Sequence, residues 1–416
     1  MNIVFLALVA IAFAVSATAE WGGRAGAMEH LTAATLSAAE GAVPLALGLV
    51  GIMALFLGLM KVAEAGGLLV ATARLLAPLL KRLFPEIPPG HPAMGAMVMN
   101  VAANLLGLGN AATPFGIRAM EKLNTLNPFK GTASNAMVLF LAINTASVTI
   151  FPTKVVALRA VTGSSDPAAV VAPTLVATLA AAVVAVLAAR WLQPFSPLPA
   201  AAAPPVNDEH VIELRDSPLW ASLAALAGVL ALIPLLAWKG KEFGPWIIPA
   251  LVVGLLAFGL ARRVRIYEVF VEGAREGFEV AVRIIPYLVA ILVAVGMFRA
   301  SGAMDMVLAP LGRLTAPLGV PAEALAMAAM RTLSGSGSYG LLADYMRDPS
   351  IGPDSYAGLL LGTIYGSTET TFYVLAVYFG AVGVRSIRHA LAAGLIADLA
   401  GLAAAAAACR LFSPWA

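Results

Sequence analysis

The chain has 416 residues, of which 60% are hydrophobic and only 12% charged, with a net charge of +3 and a mean hydropathy of +0.89. A soluble domain carries about 25% charged residues, so this composition excludes an ordinary soluble enzyme, and without a basic face interleaved with aromatics it gives nucleic-acid binding no support. The single cysteine, Cys409, excludes disulfides within the chain and thiolate metal cages, and His30, His91, His210 and His389 lack metal-ligand spacing.

Apolar runs suited to membrane crossing occur at Ile3–Val15, Ala42–Met60, Val170–Leu192, Leu219–Trp238, Trp246–Leu260, Ile284–Met297 and Ala390–Leu411. At about 20 residues per span, they predict an all-α polytopic bundle of roughly ten crossing or re-entrant segments. Met1–Glu20 lacks the positive start of a secretory signal and reads as a retained first span. Arg24–Glu40 reads as an amphipathic helix on the membrane surface, with Ala42–Val62 a span behind it. Leu68–Phe84 keeps helical spacing until Pro85, Pro88, Pro89 and Pro92 stop it.

Asn100 and Asn104 then lie one helical turn apart and share a face, and Gly107-Leu108-Gly109-Asn110 interrupts the helix before Thr113-Pro114 opens another. The pattern predicts a re-entrant hairpin, because unwound backbone at membrane depth is tolerated only where protein buries it or a cavity lies beside it. Close helix packing through small residues is the alternative reading. A second polar band, Asn144-Thr145-Ala146-Ser147-Val148-Thr149, breaks the apolar run before Phe151-Pro152, and an alanine-rich span, Val170–Leu192, follows.

Gln193–Asp216 is proline-rich and then charged, without amphipathic period, and predicts a linker between two halves, 1–193 and 217–416, with 194–216 between them. Leu219–Trp238 and Trp246–Leu260 read as a helical pair joined by Lys239–Gly244, and Arg262, Arg263 and Arg265 set the following loop on the cytoplasmic side. Tyr267–Arg283 reads as an interfacial helix, Ile284–Ala300 as a span and Met304–Leu314 as an amphipathic helix. Ala322–Met346 repeats the pattern of helix, glycine-rich tip and helix, with Arg331, Thr332, Ser334, Ser336, Ser338 and Asp344 as its polar members.

The most unusual stretch is Ile364–Gly380, where Ser367, Thr368, Glu369, Thr370 and Thr371 run unbroken inside an apolar helix. Hydroxyls compete with the helical ladder, and a carboxylate near the bilayer centre normally faces a bundle interior or a wet cavity and marks a pathway. A broken helix is predicted, with a buried carboxylate serving packing alone as the alternative. The closing span, Ala390–Leu411, carries a buried-looking Asp398.

The halves echo one another. Ile143–Phe151 pairs with Ile364–Phe372, Gly107 and Gly109 with Gly335 and Gly337, and Leu76-Ala77-Pro78-Leu79 with Leu308-Ala309-Pro310-Leu311, in the same order along the chain. Interrupted segments at matching places in two pseudo-repeats are the best sequence pointer to a transport site at the repeat interface.

Met94–Met120, MGAMVMNVAANLLGLGNAATPFGIRAM, with the preceding FPEIPPGHP, resembles the signature of the spore maturation protein A family. Arg331–Gly340 with Gly352-Pro353-Asp354-Ser355, and GSTETTFYVLAVYFGAVGV followed by Arg388-His389-Ala390-Leu391, resembles spore maturation protein B. The resemblance covers nearly the whole chain and implies a fusion of the two, each with a nucleoside recognition or Gate domain, which is itself similar to membrane parts of ferrous-iron transporter B and concentrative nucleoside transporters. It implies a transport fold, with elevator-type motion as the expectation, without implying nucleosides as cargo. In spore formers the relatives are linked to spore-core dehydration, yet a fold does not fix a function.

The leading expectation is a multi-pass transporter or permease of the inner plasma membrane for a small polar solute. Asn100, Asn104 and Asn110 from one hairpin, Ser334, Ser336 and Ser338 from the other, and Asn144, Ser147, Thr149, Thr368, Glu369 and Thr370 from the broken helices are the expected substrate-binding residues. Glu369 is the expected holder of a coupling Na⁺ or proton. No cofactor is expected. The expected partners are the lipid bilayer, the solute and the coupling ion, with a homo-oligomer left open. The alternative is a non-transporting envelope, sporulation-assembly or regulatory membrane protein. Catalysis is not expected, because Gly335-Ser336-Gly337 lacks a positioned base and no GxSxG elbow occurs, and the absence of a GxxxxGK[ST] motif removes ATP-driven transport.

Overall fold

The computed structural model describes residues 2–107, 112–198 and 218–412. Its first half contains helices α1 (Asn2–Trp21), α2 (Ala27–Ala65), α3 (Leu68–Leu83), α4 (Pro92–Leu105), α5 (Ala112–Thr125), α6 (Asn135–Thr145), α7 (Thr153–Val161) and α8 (Val171–Trp191). Its second half contains α9 (Leu219–Ala261), α10 (Ile266–Ala300), α11 (Ala303–Thr315), α12 (Ala322–Leu333), α13 (Gly335–Arg347), α14 (Tyr356–Ser367), α15 (Thr371–Ala381) and α16 (Ala390–Phe412). No strand occurs among the described residues, which contain one isolated parallel bridge, between Thr132 and Ser386. Most of the linker expected at 194–216 lies outside the described residues.

The architecture is that of a helical membrane protein. Two described stretches, Pro167–Phe195 and Ala390–Phe412, are long and apolar enough to cross a bilayer. A third arises if Val50–Ala65 and Leu68–Leu83, bent by 69° at their junction, form one broken span. The bend falls at Gly66-Gly67, where Gly67 adopts φ 84°, a left-handed conformation open to glycine at little cost. The expectation of roughly ten crossing or re-entrant segments thus compares with two or three by length and composition among the described residues.

Three sequence-based divisions are corrected. The surface helix Arg24–Glu40 and the span Ala42–Val62 form the single 39-residue α2, the pair Leu219–Trp238 and Trp246–Leu260 forms the 43-residue α9, and Tyr267–Arg283 continues into Ile284–Ala300 as the 35-residue α10. At 1.5 Å per residue these helices are about 50–65 Å long, well beyond a hydrocarbon core of roughly 30 Å. A helix of that length carries polar bands outside the lipid without breaking. Lysine and glutamate are good helix formers, and an isolated glycine costs only about 1 kcal/mol.

The long helices α2 and α10 pack against each other through glycine. A Cβ on Gly273 would lie 2.7 Å from the Leu57 carbonyl oxygen, and one on Gly277 would lie 2.6 Å from the Ala54 Cα. These two glycines are four residues apart on one face, the small-residue spacing that lets backbones approach in membranes. Elsewhere, α8 packs on α16, and both pack on α6 and α14.

Two arginines tie the halves together at loops. Arg159, only 2% exposed, donates to the Pro353 carbonyl and, at 3.2 Å, to Asp354 Oδ1. Arg388 donates to the Ala133 carbonyl at 3.1 Å, to Asn135 Oδ1 at 2.8 Å and to the Ser196 carbonyl. Each arginine seats beside the start of a helix in the other half, α14 in one case and α6 in the other. Partial burial alone would raise the pKa of Asp354, but the Ser164 hydroxyl, the Ser165 N–H and hydroxyl, and Arg159 outweigh it and hold the group below its ordinary 3.8.

Replacing Gly277 by Leu should destabilise the protein by about 1–3 kcal/mol through overpacking against the α2 backbone, read as a lowered Tm of the detergent-solubilised protein. For Asp354 the folded state favours the charged form, so its contribution is present above the unfolded pKa and is lost as pH falls through the lower folded one. Asp354→Asn should therefore be less stable than the parent at neutral pH, with the gap closing below about pH 4, as followed by thermal melts across pH.

Candidate functional site

Four helix interruptions meet at one place. The chain breaks between α4 and α5, between α6 and α7, between α12 and α13, and between α14 and α15. A cavity of about 530 Å³ lies among them, and residues from all four breaks line it.

The first half supplies a wall of amides. Asn104, near the end of α4, donates to Asn144 Oδ1 at 3.0 Å, while Asn144 donates to the Phe140 carbonyl at 2.9 Å. The Tyr378 hydroxyl, reaching from α15, lies 3.4 Å from the same Asn144 oxygen and 3.3 Å from Asn100 Nδ2. Its ring stacks on Phe140, with centroids 6.2 Å apart. Gly107, Thr113, Thr149, Thr153 and Lys154 also line this side, with the apolar Met53, Phe151, Pro152 and Val155.

The second half adds a guanidinium and a carboxylate. Arg331, 6% exposed on α12, donates through Nε to the Thr368 carbonyl at 2.8 Å and through Nη2 to the same oxygen. It also reaches Thr370 Oγ1 at 3.3 Å and Glu369 Oε2 at 3.3 Å, and its guanidinium lies 4.5 Å from the centroid of the Tyr365 ring. One side chain thus serves three acceptors of the unwound segment. The Glu369 N–H donates at 2.8 Å to the Thr145 carbonyl at the end of α6, which joins the break of one half to the break of the other. The Glu369 carboxylate is 47% exposed and lines the cavity.

Between α12 and α13 the interruption is a single residue. Ser334 is extended and caps α13 by accepting from the Gly337 N–H at 3.0 Å. The glycines expected to form a loose tip are instead the first turn of α13, because the serine cap starts the helix there.

Of the residues expected to bind solute, Asn104, Asn144, Thr149, Ser334, Ser336, Glu369 and Thr370 line the cavity together. Asn100 does not: it is fully buried behind the wall and donates to the Ala112 carbonyl at 2.8 Å. Ser147 is buried away from the cavity, and Ser338 lies one turn inside α13 with its hydroxyl on the Gly335 carbonyl at 3.0 Å. Thr368 contributes its carbonyl to Arg331 rather than its hydroxyl to the cavity. Asn110 lies outside the described residues. Absent from the expected set, yet lining the cavity, are Arg331, Lys154, Tyr339, Tyr365, Tyr373 and Tyr378. Most sit within about one helical turn of a break, and that proximity is the signal by which the sequence could have shown them. Among the described residues no group of three or more His, Cys, Asp or Glu side chains could hold a metal ion.

A helical membrane protein whose interrupted helices border a cavity lined by both polar and apolar side chains is the class that this fold and site define. The chain belongs to the Gate family, described as nucleoside recognition, which matches residues 46–162 and 281–385, just over half of its length. It is 42% identical to spore maturation protein A of Bacillus subtilis (strain 168) over 166 residues, 40% of this chain and 85% of that protein. It is 46% identical to spore maturation protein B of the same organism over 157 residues, 38% of this chain and 87% of that protein. Matches to two different relatives, each over most of its own length, are consistent with a fusion of the two kinds. No solved structure matches the chain. The cavity-lining residues all fall inside the two matched segments.

Arg331→Met should cost about 1–3 kcal/mol, since the Thr368 carbonyl loses its charged donor in a buried setting. Glu369→Gln should cost less, because its half-exposed carboxylate is partly solvated. Melting both variants side by side checks the order.

Proposed function

We propose that the chain is a multi-pass permease of the inner plasma membrane that carries a small polar solute through the chamber between its halves. The observation that carries this reading is the chamber itself, a single space of about 530 Å³ to which both halves contribute polar side chains. Its volume falls within the roughly 300–1,000 Å³ of small-molecule sites. Interrupted helices beside it follow the rule that irregular backbone in a membrane belongs next to a cavity, and sites of this construction are typical of secondary transporters.

The lining mixes neutral and charged groups. Asn104, Asn144 and the Tyr378 hydroxyl offer neutral donors and acceptors, whereas Arg331, Glu369 and Lys154 offer charge. Such a mixture suits a solute that carries neutral hydrogen-bonding groups and a charged or strongly polar group. Tyr339, Tyr365 and Tyr373 add flat apolar surface for an unsaturated ring or an aliphatic body. Chemistry on the solute has little support, since Ser336 has no histidine or cysteine beside it among the described lining residues.

Purified protein reconstituted in liposomes should take up at least one solute from a panel of uridine, adenosine, neutral amino acids and dicarboxylates, and the same solute should raise its Tm. Ser336→Trp, which fills the chamber from an exposed position, should cut that uptake by about tenfold or more, equivalent to at least ~1.4 kcal/mol. Folded wild-type protein that neither binds nor moves any member of the panel would count against the permease and favour a non-transporting envelope role.

A further inference from the structure

Asp398 is an acid that the chamber does not use. It lies within α16, outside both family-matched segments and away from the cavity lining. Its Oδ2 accepts from the Thr371 hydroxyl at 2.7 Å and faces the Thr332 hydroxyl at 3.1 Å, while its Oδ1 is fully buried without a hydrogen-bond partner. Thr332 also has the Ala328 carbonyl at 3.1 Å, so its one hydroxyl proton is shared between two acceptors. A carboxylate accepts about four hydrogen bonds when ionised. This one is assured of a single donor.

A bare carboxylate oxygen inside a membrane bundle is costly and by default marks a functional group. The nearby guanidinium, Arg331, has its hydrogen bonds at Thr368, Glu369 and Thr370 and makes none to Asp398. What the site offers is oxygen: two from the carboxylate and one hydroxyl each from Thr332 and Thr371, drawn from α16, α12 and α15. Hydroxyl oxygens keep lone pairs while they donate, and oxygen-only donor sets suit hard cations. A single negative charge matches a monovalent ion.

We propose that Asp398, with the hydroxyl oxygens of Thr332 and Thr371, binds a sodium ion. The ion would join three elements that move against one another if the chamber opens. Thr332 lies two residues before the Ser334 break, and Thr371 opens α15 directly after the chamber-lining Glu369 and Thr370. A role for this ion in driving solute movement rests on the permease reading. The binding itself does not, and it places the ion at Asp398 rather than Glu369.

The test is the thermal stability of purified, solute-free protein as NaCl replaces choline chloride at constant ionic strength. A ligand that binds only the folded state raises Tm saturably. The expected result is a saturable rise in the wild type, its loss in Asp398→Asn and in Thr371→Val, and its retention in Glu369→Gln. If Asp398→Asn does not fold, Thr371→Val, which keeps the shape, decides. A wild type indifferent to sodium, or a sodium response that survives both variants, overturns the proposal. So does a Tm that depends on Asp398 and pH but not on sodium, since that assigns the site to a proton. Because no solute is present, failure here leaves the permease proposal standing, and absence of solute uptake leaves the ion site standing.

Discussion

The constraint on which the rest depends is that a peptide group within a membrane bundle must find its hydrogen bond inside the protein. Every helix end leaves four N–H or four C=O groups without intrahelical partners, and this chain creates such ends four times around one point. Its answers are specific. The Leu105 carbonyl at the end of α4 accepts from the Ile150 N–H at 3.1 Å, the Thr145 carbonyl from Glu369, and the Thr368 carbonyl from Arg331, while Ser334 caps the start of α13. The groups that satisfy these ends crowd the same volume as the ends themselves. The polar part of the chamber's lining is thus the by-product of interrupting helices in an apolar setting, before any solute is considered.

That constraint also explains what the sequence could and could not reveal. The run Ser367–Thr371 announces its own break, because four hydroxyls and a carboxylate have no place on a lipid-facing helix, and the break falls there. The band Asn144–Thr149 does the same between α6 and α7. By contrast, Arg331 looks like an ordinary cation on an amphipathic helix, and its meaning depends on the Thr368 carbonyl, which only tertiary structure brings to it. Ser338 misleads in the opposite direction, since a serine one turn into a helix is free to bond backward to a carbonyl of the preceding turn, here that of Gly335. The three long helices were hidden because charged bands read as boundaries when a helix is assumed to be no longer than the membrane is thick.

The halves share an order of elements and differ in chemistry. Both α3 and α11 carry an interior proline, Pro78 and Pro310, and both follow a glycine of positive φ, Gly67 and Gly302. At the chamber the likeness ends: the first half brings two amides and the Lys154 ammonium, the second a guanidinium and a carboxylate. Two like scaffolds contributing unlike walls produce a polarised interior that neither half holds alone.

Arg159 carries a consequence for how the protein is made. Its partner carbonyl at Pro353 lies 194 residues further along the chain. A ribosome adding about 5–20 residues per second would need roughly 10–40 s to supply it. Throughout that interval the first half holds a cation destined for the interior with part of its coordination still unsynthesised. Until the distal loop arrives, the acceptors open to Arg159 are those of its own half, the Ser164 hydroxyl and the Asp166 carbonyl.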